Sequence, residues 1–180
     1  MRIASSGIWY LLVSVAIIAI DYFSKSWIMQ HIEAYSWNDV INVIPGFFRI
    51  VHVHNTGAAF SFLAEYPGWQ QWIFGGLAVL ISGYLAFMLG KNPFGRTWHN
   101  LAGALIIGGA LGNLIDRVSY GFVVDFLDFF ITSNGIEKHY PAFNVADIAI
   151  CVGVGLLILV ELAACVKMFL KMVLNREGGV

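Results

Sequence analysis

The stretch 145–170, "VADIAICVGVGLLILVELAACVKMFL", decides the fold. Between Asp147 and Lys167 it holds one charged residue, Glu161. A helix needs ~20 mainly apolar residues to cross the hydrocarbon core of a bilayer, and this run supplies them. Three more segments meet the same test: about 8–28, "IWYLLVSVAIIAIDYFSKSWI"; about 69–90, "WQQWIFGGLAVLISGYLAFMLG"; and about 98–116, "WHNLAGALIIGGALGNLID". Composition agrees. Of 180 residues, 59% are hydrophobic and 12% charged, with mean hydropathy +0.76; a soluble domain carries roughly 25% charged residues. The expected fold class is an all-α membrane protein with four transmembrane helices, one domain over 1–180. The first apolar run leads into Asp21 and Lys25 without a small-residue cleavage site, so it reads as a mature helix and not a secretory signal.

Lys and Arg set the orientation. Arg2, Lys91, Arg96, Lys167, Lys171 and Arg176 are six of the ten, and they flank one side of the spans. The positive-inside rule puts both termini and the 91–97 connection in the cytoplasm. The longer segments, about 29–68 and 117–144, then face outward. Trp27, Trp37, Trp69, Trp72 and Trp98 fall near helix ends, as an aromatic belt does. Within 40–55, "VINVI" and "FRIVHVHN" are β-rich and separated by Pro45-Gly46, which predicts a small extracytoplasmic β-element resting on the membrane surface. The stretch "NTGAAFSFLAEYPGW" that follows reads as loop and then a short interfacial helix.

Several function classes drop out. A net charge of −1 offers no basic surface to nucleic acid. Cys151 and Cys165 sit in an apolar helix, too far apart to pair, and read as small fillers. No CxxC or HExxH pattern occurs, and no metal or cofactor is expected. Ser24, Ser26, Ser61 and Ser119 lie near the outer face without a histidine set beside them.

The polar residues gather at one depth. The first span ends with Asp21 and Lys25, the third with Asn113, Asp116 and Arg117, and the fourth opens with Asn144 and Asp147. Asn55 closes the β-segment, and "GFVVDFLDFF" at 121–130 adds Asp125 and Asp128. Ionisable groups at membrane depth mark function by default. Each also has a plain reading. Asp21 and Lys25, at i and i+4, read as a structural pair. Asp116 beside Arg117 reads as a loop tie, and Asp128 as a solvated loop charge. His52 and His54 alternate on a strand without a third ligand and read as strand residues. Glu161 snorkels or pairs with a neighbour. Asp125 and Asp147 stand out. Asp147 opens a helix, whose dipole favours an ionised carboxylate, while the apolar setting of Asp125 favours the protonated form. Two such carboxylates sharing a proton can activate water and polarise a carbonyl. The same residues also fit a proton or ion relay through Asp21, Asp116, Asp125 and Asp147, or a non-enzymatic scaffold.

Five blocks in order, "DYFSK" at 21–25, "NTGAAFS" at 55–61, "GGALGNLIDR" at 108–117, "VVDF" at 123–126 and "FNVAD" at 143–147, resemble the lipoprotein signal peptidases, or signal peptidase II. The resemblance implies a membrane aspartyl endopeptidase of the bacterial inner membrane, with its active site toward the outer face. It would cut the signal peptide from a diacylglyceryl-modified prolipoprotein just before the lipidated cysteine. It further implies Asp125 and Asp147 as the catalytic pair, and Asn55, Gly57, Gly108, Asn113, Arg117, Asn144 and Ala146 as substrate-binding or site-shaping residues. Asp21, Lys25 and Asp116 would support them. Membrane lipid and globomycin-like peptide inhibitors are implied partners, and nothing demands more than a monomer. The stretch "ITSNGIEKHYPA" lengthens the segment between the two aspartates, and its "NG" signals a turn. The segments 117–144 and 40–55 are expected to act as lids, with 118–124 as a flexible gating loop.

Overall fold

The computed structural model describes residues 7–36, 38–57, 69–91 and 97–177. Four helices carry most of the chain: α1, Leu11–His31, entered through a single 3-10 turn; α2, Trp69–Lys91; α3, Thr97–Tyr120; and α4, Val145–Glu177. All four are long and apolar enough to cross a membrane. Helix α3 is the centre and packs against the other three.

The small residues of α3 explain that role. A Cβ on Gly108 would stand 2.8 Å from Ile17 Cβ and 3.0 Å from the Ser14 carbonyl oxygen; one on Gly109 would press into the Ala146 carbonyl oxygen. A Cβ on Gly112 would meet Asp21 Oδ2 at 2.8 Å. Helix α3 therefore closes backbone to backbone on α1 and α4. From α4, Gly153 returns the fit, since its Cβ would lie 2.8 Å from the Ala102 carbonyl oxygen. Ser14 Oγ donates to the Ala104 carbonyl oxygen at 2.7 Å. Between helices in lipid, such close packing and hydrogen bonding replace the hydrophobic drive that water would supply. Leu12, Phe23, Leu80, Ile158 and Phe169 point outward, as lipid-facing residues do.

At one end of the bundle lies a four-stranded antiparallel sheet in chain order: β1, Ile41–Ile44; β2, Phe48–Asn55; β3, Val123–Ser133; and β4, Ile136–His139. Pro45-Gly46 makes the expected turn, with Phe47 N–H donating to the Ile44 carbonyl oxygen at 3.1 Å and Gly46 at φ +78°. Asn134 at φ 54° and Gly135 at φ 76° form the β3–β4 turn, where two successive positive φ angles suit a two-residue hairpin. Ile28, Ile32, Val124 and Phe126 form a buried cluster that fixes the sheet to the end of α1.

Segment 117–144 is therefore mostly hairpin. Residues 118–124 are not a gating loop: α3 runs to Tyr120, Gly121 reverses the chain at φ +83°, and Val123 and Val124 are buried. The sequence hid this strand because residues 123–126 are buried on both faces, so the strand lacks an apolar–polar alternation. Asp128 is not a solvated loop charge. The register sets it opposite Arg49, whose Nε donates to it at 2.8 Å, and His139 Nδ1 lies 2.9 Å from its other oxygen. Glu161 pairs with His99 Nε2 at 2.8 Å. Cys151 and Cys165 are free thiols. The expected interfacial helix falls in 58–68, outside the described residues, apart from its end at Trp69, where α2 begins.

Candidate active site

Lys25 is the buried hub of the sheet end. An ammonium has three N–H donors. Lys25 Nζ lies 2.7 Å from Asp21 Oδ2, 2.9 Å from Asp116 Oδ2 and 3.0 Å from Asn113 Oδ1, so every donor has an acceptor. Asp116 thus pairs with Lys25 across α1 and α3, and not with its chain neighbour Arg117. The two carboxylates also hold backbone. Asp21 Oδ1 accepts from Ala146 N–H at 2.9 Å, and Asp116 Oδ2 accepts from Val124 N–H at 3.1 Å. Ala146 and Val124 are the residues just before Asp147 and Asp125. One lysine therefore sets the positions of both.

Asn144 joins those two aspartates. It caps α4: Asp147 N–H donates to Asn144 Oδ1 at 2.9 Å, and Asn144 N–H donates to Asp147 Oδ2 at 3.2 Å, a reciprocal box at the helix start. With Oδ1 so engaged, Asn144 Nδ2 faces Asp125 Oδ1 at 2.7 Å and Asn113 Oδ1 at 3.2 Å. Asn113 Nδ2 in turn donates to Asp147 Oδ1 at 2.7 Å. The other oxygen of Asp125 accepts from Asn55 Nδ2 at 2.9 Å. Asn55 is held by Gly57 N–H, which donates to its Oδ1 at 2.8 Å from a backbone at φ +86° that favours glycine. Strand pairing brings these groups together, with Val53 opposite Asp125 and Asn55 opposite Val123.

Asp125 is 2% exposed. Burial, and then the charge of Asp147, push its carboxyl up to about 7. Arg117 feels both aspartates through space, donates from Nη1 to the Asn113 carbonyl oxygen at 3.2 Å, and lies 5.4 Å over the Phe74 ring. The arrangement gives two carboxylates in different settings with amide donors fixing each, which suits proton exchange with a bound water.

The structure brings Asp125, Asp147, Asn55, Gly57, Asn113, Arg117, Asn144, Ala146, Asp21, Lys25 and Asp116 into one network. Gly108 stands apart, where α3 packs on α1 against Ser14 and Ile17. His52 Nδ1 faces the Ile32 carbonyl oxygen at 2.7 Å, and His54 Nε2 lies 3.0 Å from His52 Nε2. Among the described residues, no group of three His, Cys, Asp or Glu could hold a metal ion. Sequence reading missed the capping box, although Asn144-x-x-Asp147 carries its signal. It also missed the reach of Lys25 to α3, which no spacing encodes.

Comparison with known proteins gives the family. The family profile for signal peptidase (SPase) II matches residues 13–163. The chain is 45% identical to a lipoprotein signal peptidase of Vibrio campbellii over 159 residues, 88% of this chain and 91% of that one. It is 51% identical to that of Actinobacillus succinogenes over 154 residues, 86% of this chain and 90% of the relative. A bacterial membrane enzyme structure obtained by the in meso method at 1.9 Å superposes with TM-score 0.72 and 31% identity, covering 85% of this chain and 92% of that one. The chain, a multi-pass bacterial membrane protein, belongs to the signal peptidase II family.

Proposed function

We propose that the chain is an aspartic endopeptidase that removes the signal peptide from prolipoproteins. The cut falls before a cysteine that carries diacylglycerol, by water activated between Asp125 and Asp147. The observation that carries this is Asn144, which donates from its amide to Asp125 and from its backbone to Asp147. Asp125, held near 7, is the proton donor. Asp147, at a helix N-terminus and accepting from two N–H groups, is the base.

The steps balance without an acyl-enzyme. Asp147 takes a proton from water as the oxygen attacks the amide carbon, and Asp125 gives its proton to the carbonyl oxygen. The tetrahedral diol collapses when protonated Asp147 hands its proton to the leaving nitrogen and Asp125 recovers its own. Asn55, set by Gly57, holds Asp125; Asn113, set by Lys25, holds Asp147. Arg117 and Ala146 shape the site, and Gly108 sets the helix spacing beneath it.

The chain works as one domain and as a monomer in the bacterial inner membrane. Both termini are cytoplasmic, the sheet faces outward, and membrane lipid surrounds the spans. Globomycin-like peptides compete at the aspartate pair. A relay reading is weaker, because the acids of the network collect at one end of the bundle. The test is cleavage by purified protein in detergent, read by mass spectrometry. A diacylglyceryl prolipoprotein is cut before its cysteine, and the unlipidated form is not. Equal cleavage of both, or of neither, overturns the reading.

A further inference from the structure

A groove of about 500 Å³ runs between α2 and α3, lined by Gln71, Gly75, Gly76, Val79, Leu114 and Arg117 among others. That volume is in the roughly 300–1,000 Å³ range of ligand sites. From Gln71 to Val79 it descends ~12 Å along the helix, most of one ~15 Å leaflet. Its floor is backbone: a Cβ on Gly76 would meet nothing within 4 Å, and one on Gly75 would touch only Leu114, at 3.4 Å. Its mouth belongs to the active site. Arg117 lines the groove, feels the charges of Asp125 and Asp147 through space, and donates to the Asn113 carbonyl oxygen. The side chain of Gln71 donates to the Gly121 carbonyl oxygen, four residues before Asp125. Two other grooves, lined by Trp98 and Lys167 and by His99 and Glu161, lie at the opposite end of the bundle.

We propose that this groove seats an acyl chain of the substrate's lipidated cysteine, with Arg117 at its mouth donating to a glyceryl ester carbonyl. The inference rests on the proposed function. The cysteine is joined to the scissile bond, so its glyceryl group must leave the aspartate pair within a few bonds and enter lipid there. Arg117 makes one hydrogen bond to the protein among the described residues, and a guanidinium has five N–H donors. Donors therefore remain for an ester oxygen. The apolar channel below begins at the same residue.

The test is Gly76→Leu, whose side chain enters the groove, beside Gly83→Leu on the same helix, where a Cβ also meets nothing within 4 Å. Each is assayed with prolipoprotein carrying two long acyl chains or two four-carbon chains. A displaced chain passes into lipid and not water, so the loss is smaller than a transfer to water would give. The expected result for Gly76→Leu is a KM rise of about three- to tenfold on the long-chain substrate, with kcat kept and the short-chain KM unchanged. Gly83→Leu matches wild type on both. An unchanged long-chain KM, which would mean bulk lipid or a second copy fills the groove, overturns the proposal. So does an equal rise for both substrates. Should Gly76→Leu fail to fold, a wild-type cross-link decides: a diazirine at the chain terminus labels 72–79 or 114–118, and labelling confined to other segments refutes the seat. No cleavage by wild type would refute the proposed function itself.

Discussion

Replacing Lys25 with Met tests the hub. The side chains are similar in length, so the change removes charge more than volume. Asp21 and Asp116, 1% and 2% exposed, then share a buried site with no cation. Removing one partner of a buried ion pair costs about 3–5 kcal/mol, and here two carboxylates lose it. At about 2–4 °C per kcal/mol for a chain of this size, Tm falls by roughly 6–20 °C. Activity falls as well. Asp21 and Asp116 hold the N–H groups of Ala146 and Val124, and Asn113 loses the contact that turns its amide toward Asp147. Thermal unfolding in detergent and prolipoprotein cleavage read the two effects. The expected kinetic result is a fall in kcat of about tenfold or more, with KM kept. Adding Asp116→Asn removes one stranded charge and recovers part of the Tm, but not kcat. A Lys25→Met protein with wild-type Tm and kcat would refute the hub.

Three further outcomes are expected. Cleavage falls as pH rises through about 7, where Asp125 loses the proton it donates. The linkage has the same sign: its folded value lies above the ordinary carboxylate value of 3.8, so stability present below 3.8 is lost as pH rises toward 7, by at most about 4 kcal/mol. Melting curves from pH 4 to 8, compared with Asp125→Asn, show that slope only in the wild type. Gly109→Ala drives a Cβ into the Ala146 carbonyl oxygen, costs about 1–3 kcal/mol and lowers kcat, while Gly103→Ala, with nothing within 4 Å of its Cβ, leaves kcat unchanged. Asn144→Ala loses a helix cap worth about 1 kcal/mol and lowers kcat about a hundredfold or more, because both aspartates lose an orienting contact.

The helices were legible in the sequence because lipid demands long apolar runs, and α2 and α4 carry few other signals. The β1–β2 hairpin was legible from Pro45-Gly46 between β-rich runs. Strand β3 was not, because an apolar run around Asp125 looks the same whether it is strand or loop. Asp21 and Lys25 could be paired by their i, i+4 spacing, and the structure gives 2.7 Å. The third and fourth members of that cluster, Asp116 and Asn113, come from another helix, and only the tertiary fold brings them near. Arg49 and Asp128 lay far apart in sequence, and strand register alone makes them partners.

The most direct test of the aspartate pair is cleavage of a diacylglyceryl prolipoprotein by wild type, Asp125→Asn and Asp147→Asn, each folded by its melting curve and each assayed with and without a chelator. Wild type is expected to cut before the lipidated cysteine regardless of chelator. Each substitution alone lowers kcat by ~10²–10⁴-fold, the range that general acid–base groups supply. Cleavage that persists at the wild-type rate in either variant would contradict it, and the aspartate pair would not be the source of the reaction.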